Sequence, residues 1–233
     1  MLLWQLLVMS GRVKPYLLPA PRLVLDRWLA LARSGVLWHH TAATLQEALA
    51  GFLVAAAIAI ALGYVLARSE ALMSVLAPYI ALTQAVPILA FAPLLVVWFG
   101  LGLLPKVIIC VLIVFFPMLI NTIVGLRSID QAMLLAARGL GASRWRVLWR
   151  IEVPLALRTL LGGVKMGITL SMAGAVVGEF VAATKGLGYL LSFAQSTYNA
   201  ALMLALVFLI MLFVLLIFAL SERLEKRLTR WRG

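Results

Sequence analysis

The stretch AARGLGASRWRVLWRIEVP, residues 136–154, lies inside a chain that is otherwise almost entirely apolar, and its reading decides the rest. It holds four arginines (Arg138, Arg144, Arg146 and Arg150), two tryptophans (Trp145 and Trp149) and two glycines (Gly139 and Gly141) against one carboxylate, Glu152. Just upstream, QAMLLAARGL (131–140) has the spacing of a short helix with Met133, Leu134, Ala137 and Leu140 on one face. Gly139 and Gly141 permit a turn that a residue with a Cβ resists. Ser143 is a natural N-cap for a second helix, RWRVLWRI, on which Trp145, Leu148 and Trp149 share a face while Arg146 and Arg150 project elsewhere. Pro154 is expected to stop that helix. The stretch therefore reads as a helix–glycine turn–helix knuckle. Its tryptophans suit the headgroup layer, and its turn protrudes from it.

Working outward, the chain of 233 residues is 65% hydrophobic and 12% charged, with a mean hydropathy of +1.11. Soluble domains run at about 45–50% apolar, so this is an integral membrane protein. Its net charge of +12 reads as lysine and arginine placed on one side of a bilayer, and no aromatic-plus-basic module for nucleic acid is present. Five apolar spans stand out, at about 45–67, 72–99, 104–126, 160–181 and 201–220. Pro78, Pro87 and Pro93 interrupt the second, and Pro117 lies inside the third. The single cysteine, Cys110, sits in an apolar run and excludes an internal disulfide. MLLWQLLVM at the start lacks the basic region and cleavage site of a signal peptide, and is shorter than the roughly 20 residues a span needs.

Alternating spans give the charges an orientation. With the C-terminal tail cytoplasmic, one side collects Arg68, Arg127, Arg138, Arg144, Arg146, Arg150, Arg158, Arg223, Lys226, Arg227, Arg230 and Arg232. The other side's loops, 100–106 and 182–199, hold Lys106 and Lys185. The N-terminal Arg12, Lys14, Arg22, Arg27 and Arg33 run against this bias. Either MLLWQLLVM is the tail of a shortened first span, or residues 21–40 form a surface helix with Trp28 and Trp38 at the interface. The organisation expected is an N-terminal segment at 1–43, a membrane domain at 44–221 carrying the loop 127–158, and a basic tail at 222–233.

From its residues alone the knuckle is either an interfacial hairpin that holds anionic lipid or a docking knob for a cytoplasmic partner. The segment resembles the cytoplasmic signature of ABC importer permeases: Glu-Ala-Ala, three residues, Gly, nine residues, Ile, any residue, Leu-Pro. Here the pattern falls on Leu135-Ala136-Ala137, Gly141, Ile151 and Val153-Pro154. Leu135 stands where the signature has glutamate, and Val153 where it has leucine. YLLPAPRLV (16–24), HHTAATLQEALAGF (39–52), PLLVVWFGLGLLPK (93–106), FFPMLINTIVGLRSID (115–130) and GEFVAATKGLGYLL (178–191) are similar to the branch that carries nitrate, sulfonate and taurine, which includes riboflavin and thiamine pyrimidine-precursor transporters.

The resemblance implies an all-α, type I importer membrane domain of five clear spans, with a sixth, first span shortened here or begun upstream. It implies two copies forming the pathway, two cytoplasmic ATPase subunits that use the ATP, and an external substrate-binding protein. Ala136, Ala137, Arg138, Gly139, Gly141, Ala142, Ser143, Ile151 and Pro154 would then couple to the ATPase.

No phosphate-binding loop, zinc motif or Ser/His/Asp set occurs in the sequence, so the chain is expected to be no enzyme and to bind no cofactor. His39 and His40 are adjacent and point away from any shared metal. Polar residues inside spans are costly against lipid, which makes Gln84, Asn121, Ser171 and Glu179 the pathway candidates. For the first three the alternative is interhelical hydrogen bonding, and for Glu179 it is exposure to water or a pair with Lys185. Gly162, Gly163 and Gly167 suit close helix packing or a dimer seam, and Lys165 reaches for the inner surface. The rivals are an energy-coupling-factor transmembrane component, for which Ala137-Arg138-Gly139 appears once rather than twice, and a membrane scaffold. Few charges in the spans favour a riboflavin-like or pyrimidine-precursor substrate over sulfonate, taurine or nitrate.

Overall fold

The computed structural model describes residues 2–10, 14, 17–85 and 87–229. In chain order the helices are α1 (Leu2–Met9), α2 (Pro21–Arg33), α3 (Val36–Arg68), α4 (Glu70–Ala85), α5 (Ile88–Phe99) and α6 (Leu103–Arg127). They continue with α7 (Gln131–Gly139), α8 (Arg144–Val147), a π-helical turn (Leu148–Glu152), α9 (Val153–Ala182), α10 (Leu187–Ser196) and α11 (Ala200–Thr229). All regular structure among the described residues is helical, as the hydropathy pattern requires: in lipid every backbone N–H and C=O must be satisfied within its own segment.

α3, α6, α9 and α11 are each long and apolar enough to cross a membrane, and α4 with α5 forms a pair bent by 89°. Two ion pairs decide what the bent pair is. Glu47, near the start of α3, pairs with Lys106 at the start of α6, while Arg68 at the end of α3 pairs with Glu152 beside the knuckle. α3 and α6 therefore run parallel, with Gly51 against Cys110 and Gly63 against Thr122 further along the same pair. α4 leaves from the Arg68 end and α5 finishes three residues before α6 begins at the Lys106 end, so together they form one broken span. The break falls at Pro87, where the freed backbone geometry ends α4, while Pro78 and Pro93 are carried inside helices. The five expected spans are thus present, the second as two pieces.

Small residues set the packing. α6 is the most enclosed of the long helices, and it lies between two glycine-bearing faces. On α3, a Cβ at Gly51 would stand 2.2 Å from Cys110 Cβ, and one at Gly63 would stand 2.7 Å from the Thr122 side chain. On α9, Gly163 faces Asn121, and a Cβ at Gly174 would stand 3.0 Å from Cys110 Cα and one at Gly178 3.2 Å from Lys106 Cα. Gly163 and Gly167 are therefore seams inside one chain and not between copies, while Gly162 meets no neighbour within 4 Å. Between the glycines, Ala55, Ala59, Val114, Met118 and Leu119 form the central cluster.

In the N-terminal segment the single helix expected over 21–40 does not form. α1 spans eight residues, about 12 Å of helix against a hydrocarbon core of about 30 Å. The helix expected at 21–40 ends at Arg33; Gly35, at φ +72°, turns the chain, and Trp38 belongs to the exposed start of α3. Trp28, Leu31 and Ala32 of α2 pack on Leu187, Leu190, Leu206 and Leu209 of α10 and α11. This seats Arg22, Arg27 and Arg33 at the Glu47 end, so the exception to the charge bias persists in the fold. The expected boundaries at 43/44 and 221/222 fall inside α3 and α11.

Candidate functional site: the glycine-turn knuckle and the far-end polar knot

The knuckle is built by local hydrogen bonding. Asp130 caps α7 by accepting from the Ala132 N–H at 2.8 Å. At the other end the Ala142 N–H donates to Ala137 O at 3.1 Å and the Gly141 N–H to Arg138 O at 2.9 Å, the paired bonds of a Schellman turn. Gly141 supplies its left-handed residue, at φ +79°, and a Cβ there would meet nothing within 4 Å. Glycine is thus required by conformation and not by space. Gly139 differs from expectation: it is the last residue of α7, with no positive φ and open surroundings. Ser143 accepts from the Arg146 N–H and caps α8 as expected.

Two further expectations are corrected. Met133 and Leu140 do not join Leu134 on a buried face; Leu134 and Val147 fill the interior with Ile129 and Ala156, while Leu140 is 89% exposed. The outward crest is instead Leu135, Leu140, Trp145 and Trp149, the two indoles meeting edge-to-face at 5.5 Å. Pro154 does not stop the second helix. The wider π-helical turn at Leu148–Glu152 precedes it, and Pro154 falls in the first turn of α9, where a missing N–H is tolerated. Of the residues expected to couple, Ala136, Arg138, Gly139, Gly141 and Ser143 are exposed on the knuckle. Ala137, Ala142 and Ile151 pack beneath it, and Pro154 is half-buried at its exit.

Behind the crest lies a basic recess of about 480 Å³ lined by Tyr64, Arg68, Arg138, Arg144 and Val147. Glu152 is buried below it and pairs with Arg68, whose guanidinium also lies 5.1 Å from the Tyr64 ring centre and donates to the Tyr64 hydroxyl at 3.1 Å. Arg127 donates to Leu66 O at 3.3 Å, tying the end of α6 to the same corner. Lys165 leans toward this end, its ammonium 3.8 Å from Glu225 and 4.0 Å from the Phe218 ring centre.

The pathway candidates are dispersed. Asn121 donates to Pro117 O at 2.8 Å inside α6 and packs on Gly163. Ser171 is buried in α9, donates to Ile168 O at 2.8 Å, and edges an apolar groove of about 340 Å³ with Leu45, Phe52 and Met172. Gln84 is in α4, and its side chain lies outside the described residues. Glu179 neither faces water nor meets Lys185: it is buried, and its Oε2 accepts from the Gly188 N–H at 2.6 Å.

Glu179 belongs to a polar knot that the sequence reading missed. Around it, Thr44 Oγ1 accepts from the Leu187 N–H at 2.9 Å, and His40 Nδ1 accepts from the Gly186 N–H at 2.9 Å. The orphan N–H groups that open α10 are thus satisfied from α3 and α9. Glu47 and Lys106 are paired at 2.5 Å, both buried, and the carboxyls of Glu47 and Glu179 face each other. Beside them opens a recess of about 470 Å³ lined by Gln46, Glu47, Leu103, Lys106, Thr184 and Lys185. A glutamate two residues inside an apolar run was the available signal; its partner, 59 residues away, had none.

Comparison with known proteins agrees with this architecture. Residues 51–230 match the family described as the binding-protein-dependent transport system inner membrane component. The riboflavin transport system permease protein of Chloroflexus aurantiacus is 44% identical over 99% of this chain and 86% of its own length. The taurine permease of Escherichia coli is 32% identical over the same shares, and the formylaminopyrimidine permease of Halalkalibacterium halodurans is 31% identical over 100% and 92%. An inward-facing structure of the MetNI methionine ABC transporter has the same fold, with a TM-score of 0.74 over 84% of this chain and 97% of that one, at 18% identity. With five spans around a Schellman-turned knuckle and a match across most of its length, this multi-pass membrane chain belongs to the binding-protein-dependent ABC importer permeases.

Proposed function

We propose that the knuckle docks a cytoplasmic ATPase subunit, that two copies of the chain enclose the pathway, and that the cargo is a small cofactor precursor of the riboflavin or thiamine-pyrimidine class. The observation that carries the docking is the exposed crest of Leu135, Leu140, Trp145 and Trp149 on a turn held rigid from beneath. Apolar groups grouped on an otherwise arginine-rich end mark a partner surface. The concentration of arginine at that end makes it the cytoplasmic one, with the C-terminus on the same side. ATP is used by the partner, an external binding protein delivers cargo to the opposite face, and ATPase closure rocks the spans between two accesses. The cargo class is supported by the 44% identity to a riboflavin permease and by spans with few charges.

Two measurements test this. The tagged chain, purified from native membranes in mild detergent, is expected to bring an ATPase subunit with it. Leu140→Asp should lose that subunit while melting like the parent, because an exposed substitution changes stability by about 0.5 kcal/mol or less. Retention of the ATPase by Leu140→Asp overturns the docking face. Proteoliposomes of the assembled transporter with its binding protein should accumulate radiolabelled riboflavin or formylaminopyrimidine; uptake of taurine with neither of these overturns the cargo class.

A further inference from the structure

Glu152 occupies the free position of the signature, so the sequence assigned it nothing. In the fold it is 1% exposed and is the last residue of the π-helical turn, where the knuckle passes into α9. Its Oε1 meets Arg68; its Oε2 has no hydrogen-bond donor among the described residues. Arg68 is the last residue of α3, and a single residue, Ser69, separates it from α4. Ser69 Oγ accepts from the Leu72 N–H at 3.2 Å, which fixes the first turn of α4 to that corner. α4 meets the bundle chiefly along α3, through Met73, Leu76 and Ile80.

We propose that the Arg68–Glu152 pair is a strut that carries displacement of the knuckle to the corner of the broken span, which makes both residues positioning residues for transport. This rests on the permease reading above. Glu152 moves with the knuckle because it is part of the same continuous helix. Arg68 moves α4 because one residue joins them. The pair thus bridges 84 residues of chain between the docking end and the span whose break at Pro87 allows its halves to reorient.

The chemistry suits a switch better than a fixed brace. A guanidinium can hold both oxygens of a carboxylate in a fork, and here it holds one. Tyr64, on the same helix as Arg68, offers the guanidinium a second seat through its hydroxyl and its ring face. Here Nη2 of Arg68 meets the Tyr64 hydroxyl and Glu152 together, and the side chain is 36% exposed, so the guanidinium can release Glu152 and keep the Tyr64 contact. Two discrete arrangements of one ion pair are what an interface needs to convert a small push into a change of state.

The test uses the whole transporter in proteoliposomes, with its ATPase and binding protein, and reads uptake and ATP hydrolysis together. Glu152→Gln and Arg68→Gln should each retain the ATPase on purification and basal hydrolysis within about twofold. Substrate taken up per ATP hydrolysed should fall about tenfold, a coupling loss of ordinary allosteric size. The exchanged pair, Arg68→Glu with Glu152→Arg, should restore a substantial part of that ratio, which a merely structural role does not explain. An unchanged ratio in Glu152→Gln overturns the strut, as does parallel loss of uptake and hydrolysis with no rescue by the exchange. A parent chain that brings no ATPase activity overturns the permease reading itself, and the strut with it.

Discussion

The two ends of this bundle each bury a glutamate against a basic residue, and they use it differently. At the far end Glu47 and Lys106 are both enclosed, and Glu179, Thr44 and His40 beside them fasten the backbone of residues 186–188 to α3 and α9. At the knuckle end Glu152 is enclosed but Arg68 is open to solvent, at the edge of a recess also lined by Arg138 and Arg144. One end is a knot whose release exposes several groups at once. The other joins α3 to Glu152 through one solvent-exposed guanidinium that Tyr64 also holds. The distribution of hydrogen bonds thus differs between the two ends, which is what the proposed rocking of the spans requires.

The largest test of this contrast is Lys106→Met. It leaves Glu47 buried without its cation, for which breaking one side of a buried pair costs about 3–5 kcal/mol, read as denaturant unfolding in detergent. A loss below about 1 kcal/mol, the worth of an exposed pair, would mean that the far end is no tighter than the knuckle.

Gly188→Ala comes next. Its Cβ would stand 2.2 Å from Val176 O, a backbone atom with no room to yield, and forced packing of this kind costs about 1–3 kcal/mol. Hydrogen exchange at residues 186–190 should rise in this variant and not at the knuckle. At the opposite end Gly141→Val meets no clash, yet it must hold a β-branched residue at φ +79°, a cost of about 1–2 kcal/mol. Its signature is loss of ATPase co-purification with the far-end exchange unchanged. The smallest effect is Gly139→Ala, with helical backbone and open space; it should raise the melting temperature slightly, by up to about 0.5 kcal/mol of stability. Destabilisation by Gly139→Ala would show that the knuckle is packed as tightly as the knot.

Much of the knuckle was legible because its determinants are local. Asp130 and Ser143 act on N–H groups two or three residues away, and the turn at Gly141 is closed by bonds within six residues. The errors there came from tertiary context. Pro154 was read as a stop because a proline inside an α-helix breaks it, and no local signal announced the π-helical turn that absorbs it. Helical spacing groups Leu140 with Leu134 on one face, but the chain leaves the helix one residue earlier. The far-end knot was illegible in the opposite way. The spacing singles out Glu179 but not its surroundings, leaves Glu47 and Thr44 without a role, and brings in His40 only in weighing a metal site and Lys106 only as a loop charge, because the helices that meet there are dozens of residues apart.

The sequence by itself determined the solvent this chain lives in, the number of its spans, the side on which its arginines gather and the form of its glycine turn. These follow from hydropathy, charge and backbone conformation, which act within a few residues. Only the tertiary structure decided that the proline-rich second span is broken at Pro87 yet still crosses, that glycines on α3 and α9 clasp α6, and that Arg68 reaches Glu152. Each of these is a meeting of surfaces distant in the chain, and a buried charge can declare that it needs a partner without naming which one.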